Sequence, residues 1–100
     1  MPNFATKAKA KLERGWRKLA APCQFIPASG EPFYRGVNVI ATQTDASNEY
    51  LPQPIALAEF LKADGAVNVD DEFALNGTTY LLTQLHSFDE ISHTFVYIAN

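Results

Sequence analysis

The pair Asn76-Gly77 stands between two short runs of alternating apolar character, Glu72 to Leu75 and Thr78 to Leu85. Asn-Gly suits a two-residue type I′ turn because both central positions take positive φ, which most residue pairs resist. The chain is therefore expected to fold back on itself here as an antiparallel hairpin. Phe73 and Leu75 fall on one face, and Tyr80 and Leu82, with Thr78, alternate on the return strand. Ser87 to Glu90 supplies a second turn, and Ile91 to Ile98 reads as a third strand. Its two faces, Ile91/His93/Phe95/Tyr97 and Ser92/Thr94/Val96/Ile98, both end apolar, so the strand is expected to be central. A three-strand meander over Val67 to Ile98 is the frame to which the rest of the chain must fit.

Upstream, Cys23 to Ile26 is a short apolar run that leads into the turn cluster Pro27-Ala28-Ser29-Gly30-Glu31-Pro32. Phe33 to Ala41 reads as a strand, with Gly36 a candidate bulge or bend. Thr42 to Pro54 is a polar connection of 13 residues, long for a small domain and typical of segments that carry function. Ile55 to Leu61 is ambiguous: its Ala and Leu content favours helix, whereas Pro54 and its short length favour strand. It is assigned as a strand, with residues 61–65 a helical turn or tight bend behind it. Six or so short strands in about 75 residues is the spacing of a small antiparallel β-barrel or sandwich. The chain has 100 residues and is read as one domain: an N-terminal amphipathic helix over 4–20, then a mainly β body over 22–100 with its long loop at 42–54.

The helix is drawn from FATKAKAKLERGWRKLA, with Asn3 as a candidate N-cap and Pro22 as its stop. Phe4, Ala8, Leu12, Trp16 and Leu19 share an arc of about 120°, and the basic residues other than Lys9 fall opposite. Gly15 lies inside the apolar arc at a cost of about 1 kcal/mol against Ala, unless close packing needs its small size. Net charge is −3, unevenly distributed: six bases against Glu13 give +5 over 1–21, and two bases against ten carboxylates give −8 over 22–100. Such asymmetry predicts that the helix meets an acidic surface, either its own body or a partner. The first expectation is that the apolar face lies on the chain's own β body; the alternatives, in order, are docking on another subunit or partner, and binding to a membrane surface or a nucleic acid.

Little in the sequence suggests catalysis. Cys23 is the only cysteine and is expected to act as a small buried hydrophobe, which suits a reducing cytoplasm. His86 and His93 lack metal-ligand spacing, and Asp70-Asp71-Glu72 lacks the spacing of a calcium loop, so no metal or cofactor is expected. The three acids are read as a solvated turn before a strand. Neither phosphate-binding glycine motif occurs. No run approaches the roughly 18 apolar residues of a membrane span. An enzyme with a small-molecule substrate is not expected.

The order of elements resembles that of the lambda-like head–tail attachment (head-completion) proteins of long-tailed bacteriophages. The likeness rests on Tyr34-Arg35-Gly36-Val37 before the long loop, and on Asp71, Phe73, Leu75, Gly77, Tyr80 and Leu82 across the hairpin, with Thr94 to Ile98 closing the pattern. One departure is Asp70, where the family often carries Gly before the Asp. The resemblance implies a small β-barrel neck protein that binds the portal of a finished head and presents a surface to the tail. It would be a monomer alone and a homo-oligomeric ring on assembly, made in the bacterial cytoplasm and then resident in the virion neck. The family's contact regions are the N-terminal segment and the long loop. On this chain they correspond to the helix, with Phe4, Leu12, Arg14, Trp16, Arg17 and Lys18, and to Asp45, Asn48, Glu49, Tyr50 and Leu51 in the loop. A head-side stopper and a tail terminator share the same architecture. The other reading is a small binding module whose basic helix engages nucleic acid or a membrane surface.

Overall fold

The computed structural model describes residues 4–43 and 54–100, with side chains over 8–40 and 55–100. Helix α1 spans Phe4–Leu19 and is followed by β1 (Ala21–Ile26), β2 (Phe33–Gln43) and β3 (Pro54–Leu61). A 3-10 turn at Lys62–Asp64 leads to β4 (Glu72–Leu75), β5 (Thr78–Phe88) and β6 (Ser92–Ala99). The strands close into an antiparallel barrel in the order β1-β2-β3-β6-β5-β4, which settles the choice between barrel and sandwich. Closure leaves no open sheet edge in the ring of strands.

The Asn76-Gly77 turn is present, with φ of 52° and 84° at its two residues, and it sets Phe73 opposite Tyr80 and Leu75 opposite Thr78. Ile55 to Leu61 is a strand, as assigned, and pairs with β2 on one side and β6 on the other. Two local expectations are corrected. Gly36 is not a bulge, because it pairs in regular register with Pro22. The irregularities fall in β5 instead, between Leu82 and Gln84 and between Leu85 and Ser87, and they let this long strand wrap the barrel. β5 also runs on to Phe88, so the second turn lies after the predicted Ser87.

Alternation along the strands sends one set of side chains inward. Phe25, Val37, Phe60, Phe73 and Leu82 are fully buried at 0% exposure, and Phe95 and Cys23 complete the centre. The rings meet edge-on, Phe25 with Phe60 at 5.4 Å and Phe60 with Phe73 at 5.6 Å between centroids. That geometry places the positive ring edge on the negative face. Arg35 also points inward. Its guanidinium lies over the Phe25 and Phe60 rings at 4.9 and 5.2 Å, and Nη2 donates to the Leu61 carbonyl at 2.6 Å. Three aromatic faces and two carbonyl oxygens, both accepting from Nη2, replace part of its water, while Nε and Nη1 are buried without a hydrogen-bond acceptor among the described residues.

The acidic turn departs from its expected solvated role. Asp71 is 4% exposed. Its Oδ1 accepts the Ala28 N–H at 2.9 Å and its Oδ2 accepts the Asn68 N–H at 2.8 Å. Asp70 does occupy the left-handed region, at φ 78°, the conformation that Gly adopts without strain.

Cys23 is buried as expected, and burial pushes its thiol pKa up to about 11, against a smaller opposing pull from the Arg35 charge. The thiolate is the reactive form, so native Cys23 should be inert to a disulfide reagent at neutral pH and react fully after denaturation. Fast labelling of the native chain would contradict this placement.

Candidate functional site

Among the described residues, helix α1 meets the barrel through Trp16 and Arg17 near its C-terminus. Trp16 is 8% exposed and packs with Leu61, Ile91 and Ala20 in a small cluster on the outer wall, separate from the barrel centre. A Cβ on Gly36 would stand 3.2 Å from Trp16 Cζ3 and 3.1 Å from the Ala20 Cβ. Close approach of the indole is therefore what this glycine permits. The indole Nε1–H donates to Glu59 Oε1 at 2.8 Å. Glu59 also accepts from Asn38 Nδ2 at 3.2 Å and from the Ser92 hydroxyl at 2.7 Å, so strands β2, β3 and β6 all hold the one carboxylate that receives the tryptophan. Beside it, Arg17 forms a two-pronged pair with Asp64, at 2.9 and 3.1 Å. Half of the Arg17 side chain is exposed, so the pair contributes well under about 1 kcal/mol, and the buried indole is the stronger tether.

Gly36→Val places methyl groups where the Trp16 ring lies. The expected result is expulsion of the indole at a local cost of about 1–3 kcal/mol, read as a red shift of the single tryptophan's emission with the barrel still folded. An unshifted spectrum would show that the indole does not depend on Gly36.

Beside this anchor, among the described residues, the neighbouring apolar side of the helix is bare. Leu12 is 58% and Leu19 78% exposed, and a Cβ on Gly15 would meet nothing within 4 Å. Packing among the described residues thus does not require Gly15. This open surface is made by Ala8, Lys11, Leu12, Gly15, Trp16 and Leu19, all of them helix residues. Covering the two leucines would contribute about 2–3 kcal/mol. Arg14 and Lys18 are exposed on the same helix. Among the described residues, the expectation that the apolar face lies on the chain's own body therefore holds for Trp16 and not for Leu12 or Leu19.

Of the contact residues read from the sequence, Leu12, Arg14 and Lys18 are accessible, whereas Trp16 and Arg17 are engaged by the chain's own barrel. The Phe4 side chain and Asp45, Asn48, Glu49, Tyr50 and Leu51 lie outside the described residues. Glu59, Asn38 and Ser92 were missed. The only signal was Glu59 itself, the single charge in the apolar run IALAEFL.

For chemistry the described residues offer little. Among them, no three His, Cys, Asp or Glu side chains come close enough to hold a metal. His93 lies against Phe88 and Phe95, and burial, reinforced by the Lys62 and Arg35 charges, lowers its pKa and keeps the ring neutral at pH 7. His86 is exposed beside Ser87, at 3.2 Å. Among the described residues, no helix is long and apolar enough to cross a membrane. No protein-family model matches this chain, and no curated protein matches it.

Proposed function

We propose that this chain is a structural morphogenesis protein of a phage or prophage, joining the portal of the filled head to the tail at the virion neck. The observation that carries the reading is a closed barrel bearing a helix fixed at one end by Trp16 and bare along Leu12, Gly15 and Leu19. An apolar face held out in this way suits a protein that works by contact with other subunits rather than by turnover. The element order supports it in outline, with β1 and β2, the connection after Gln43 and then the β4-β5-β6 meander, although β3 (Pro54–Leu61) stands between the connection and the meander and takes in the last residue of the expected 42–54 loop, as β2 takes in its first two. In this reading the helix and the 42–54 segment are the contact regions, the partners are portal or connector and tail proteins, and no substrate or cofactor is involved.

The test is deletion of the gene in its source genome, induction of particles and imaging of the lysate. Filled heads and complete tails accumulating apart are expected. Normally joined particles would overturn the reading.

A second reading is favoured by the exposed Lys11, Arg14 and Lys18 beside the bare leucines, a pattern that also suits binding to nucleic acid or an anionic membrane surface. It requires binding to DNA or anionic vesicles that falls steeply with added salt.

A further inference from the structure

We infer that Gly15 and the three bases around it, Lys11, Arg14 and Lys18, form a seat for the phosphate backbone of duplex DNA, bound without regard to sequence. This contact rests on the nucleic-acid reading above and gives it a location.

A glycine inside a helix weakens it, because Gly loses more backbone freedom on ordering than any other residue. Gly15 lies in the interior of α1 (Phe4–Leu19), and nothing stands within 4 Å of the Cβ it lacks. Unlike Gly36, it is therefore not there to let the helix and barrel meet. The remaining use of its small size is close approach of a group from outside the chain. Its surroundings are basic. Lys11 stands four residues before it and Lys18 three after, the two spacings that bring helix side chains onto one face, and Arg14 adjoins it. All three bases and Gly15 itself are exposed. Among the described residues the one ion pair is Arg17 with Asp64, so none of the three is neutralised in this way.

The anchor decides where this seat faces. Trp16 and Arg17 engage the barrel. At about 100° per residue, Lys11, Gly15 and Lys18 fall within about 30° of the direction opposite to that pair. Arg14 stands on one shoulder of this outward strip, and Leu12 and Leu19 stand on the other. Glu13, the helix's single acid, falls on the barrel side. The acidic body, −8 over residues 22–100, is thus kept behind the helix while the bases face away from it. Charge complementarity selects a polyanion for this strip. From Lys11 to Lys18 the helix rises about 10 Å, the axial length of about three phosphates on one strand of a duplex. A membrane surface is the poorer match. An interfacial helix buries its apolar side in the lipid, whereas Leu12 and Leu19 lie on the flank and Trp16 is committed to the barrel. Contacts to phosphate carry no base information, so this binding is independent of sequence.

The test is an anisotropy titration of a labelled, mixed-sequence DNA duplex with the full-length chain across a salt series. The wild type should bind with log K falling against log salt at a slope of about −2 to −3, as about three phosphate contacts require. Lys18→Gln should make that slope shallower by about one. Gly15→Leu separates the seat from the fold. Leucine is the better helix former and its side chain has open space, so Trp16 emission should be unchanged and the unfolding midpoint no lower. DNA binding should nevertheless fall at least about tenfold, because the phosphate can no longer reach the helix surface between the bases. Leu12→Gln with Leu19→Gln should leave DNA binding within about twofold. Binding to phosphatidylserine vesicles that exceeds binding to DNA, and is lost in this double variant, would overturn the assignment to DNA. A wild type that fails to bind the duplex at low salt would overturn the seat and the nucleic-acid reading together. Salt-dependent binding that Gly15→Leu leaves unchanged would keep that reading and reject this seat alone.

Discussion

Phe60→Ala is expected to destabilise the barrel by about 3–5 kcal/mol, a large part of the roughly 5–15 kcal/mol available to a domain of this size. Phe60 has 0% exposure and is the ring through which the buried aromatic contacts pass, with Phe25 on one side and Phe73 on the other. Removing it loses the transfer energy of the ring and leaves a void, because a closed barrel has no free edge along which to collapse. It also strips one face from the Arg35 guanidinium, 5.2 Å from the Phe60 centroid, adding about 0.5–1 kcal/mol. Urea unfolding is the measurement, with a midpoint displaced at unchanged slope as the expected form. Phe33→Ala is the control. Phe33 is 38% exposed and also contacts Arg35, so its truncation should cost under about 2 kcal/mol. Equal costs for the two would mean that the stability is not concentrated in the barrel centre.

What could be read in the chain beforehand was local. The Asn76-Gly77 hairpin was legible because its turn is set by two adjacent residues and its faces by simple alternation. The β3 assignment rested on length and Pro54, and it too needs only neighbours in sequence. Gly36 was misread because its reason is Trp16, 20 positions upstream, whose ring occupies the space that a side chain would fill. The amphipathic pattern of α1 was equally legible, but a pattern shows that a face is apolar and not what covers it. Only the placement of Glu59 beneath Trp16 decides that the Trp16 side of the helix docks on the barrel while Leu12 and Leu19, on the neighbouring side, do not. The charge split likewise pointed to an acidic surface without distinguishing the chain's own body from a partner. The contact residues read in the long loop stand on the family resemblance and loop length alone.

Asp71 is the sharpest case, and its substitution is the second large effect expected. Read as part of a solvated acidic turn, it is instead a buried clamp, because one of its two donors, the Ala28 N–H, comes from a turn 43 residues away. The other, the Asn68 N–H, closes the loop leading into β4, and the Asp71 carbonyl accepts from the Leu82 N–H at 2.9 Å. One residue thus ties the β1–β2 turn, the entry to β4 and strand β5 together. Asp71→Ala removes two charge-assisted bonds and leaves two amide hydrogens without their acceptor, for a cost of about 2–4 kcal/mol. Asp71→Asn retains one acceptor oxygen and should cost about half as much. Asp70→Gly is the contrast at the neighbouring position: it relieves the φ of 78° and should change stability by less than about 1 kcal/mol, in the stabilising direction. Urea midpoints for the three variants therefore should rank Asp70→Gly above wild type, then Asp71→Asn, then Asp71→Ala. A harmless Asp71→Ala would show that water can take the place of the carboxylate, and the clamp would then be no more than the solvated turn that the sequence suggests.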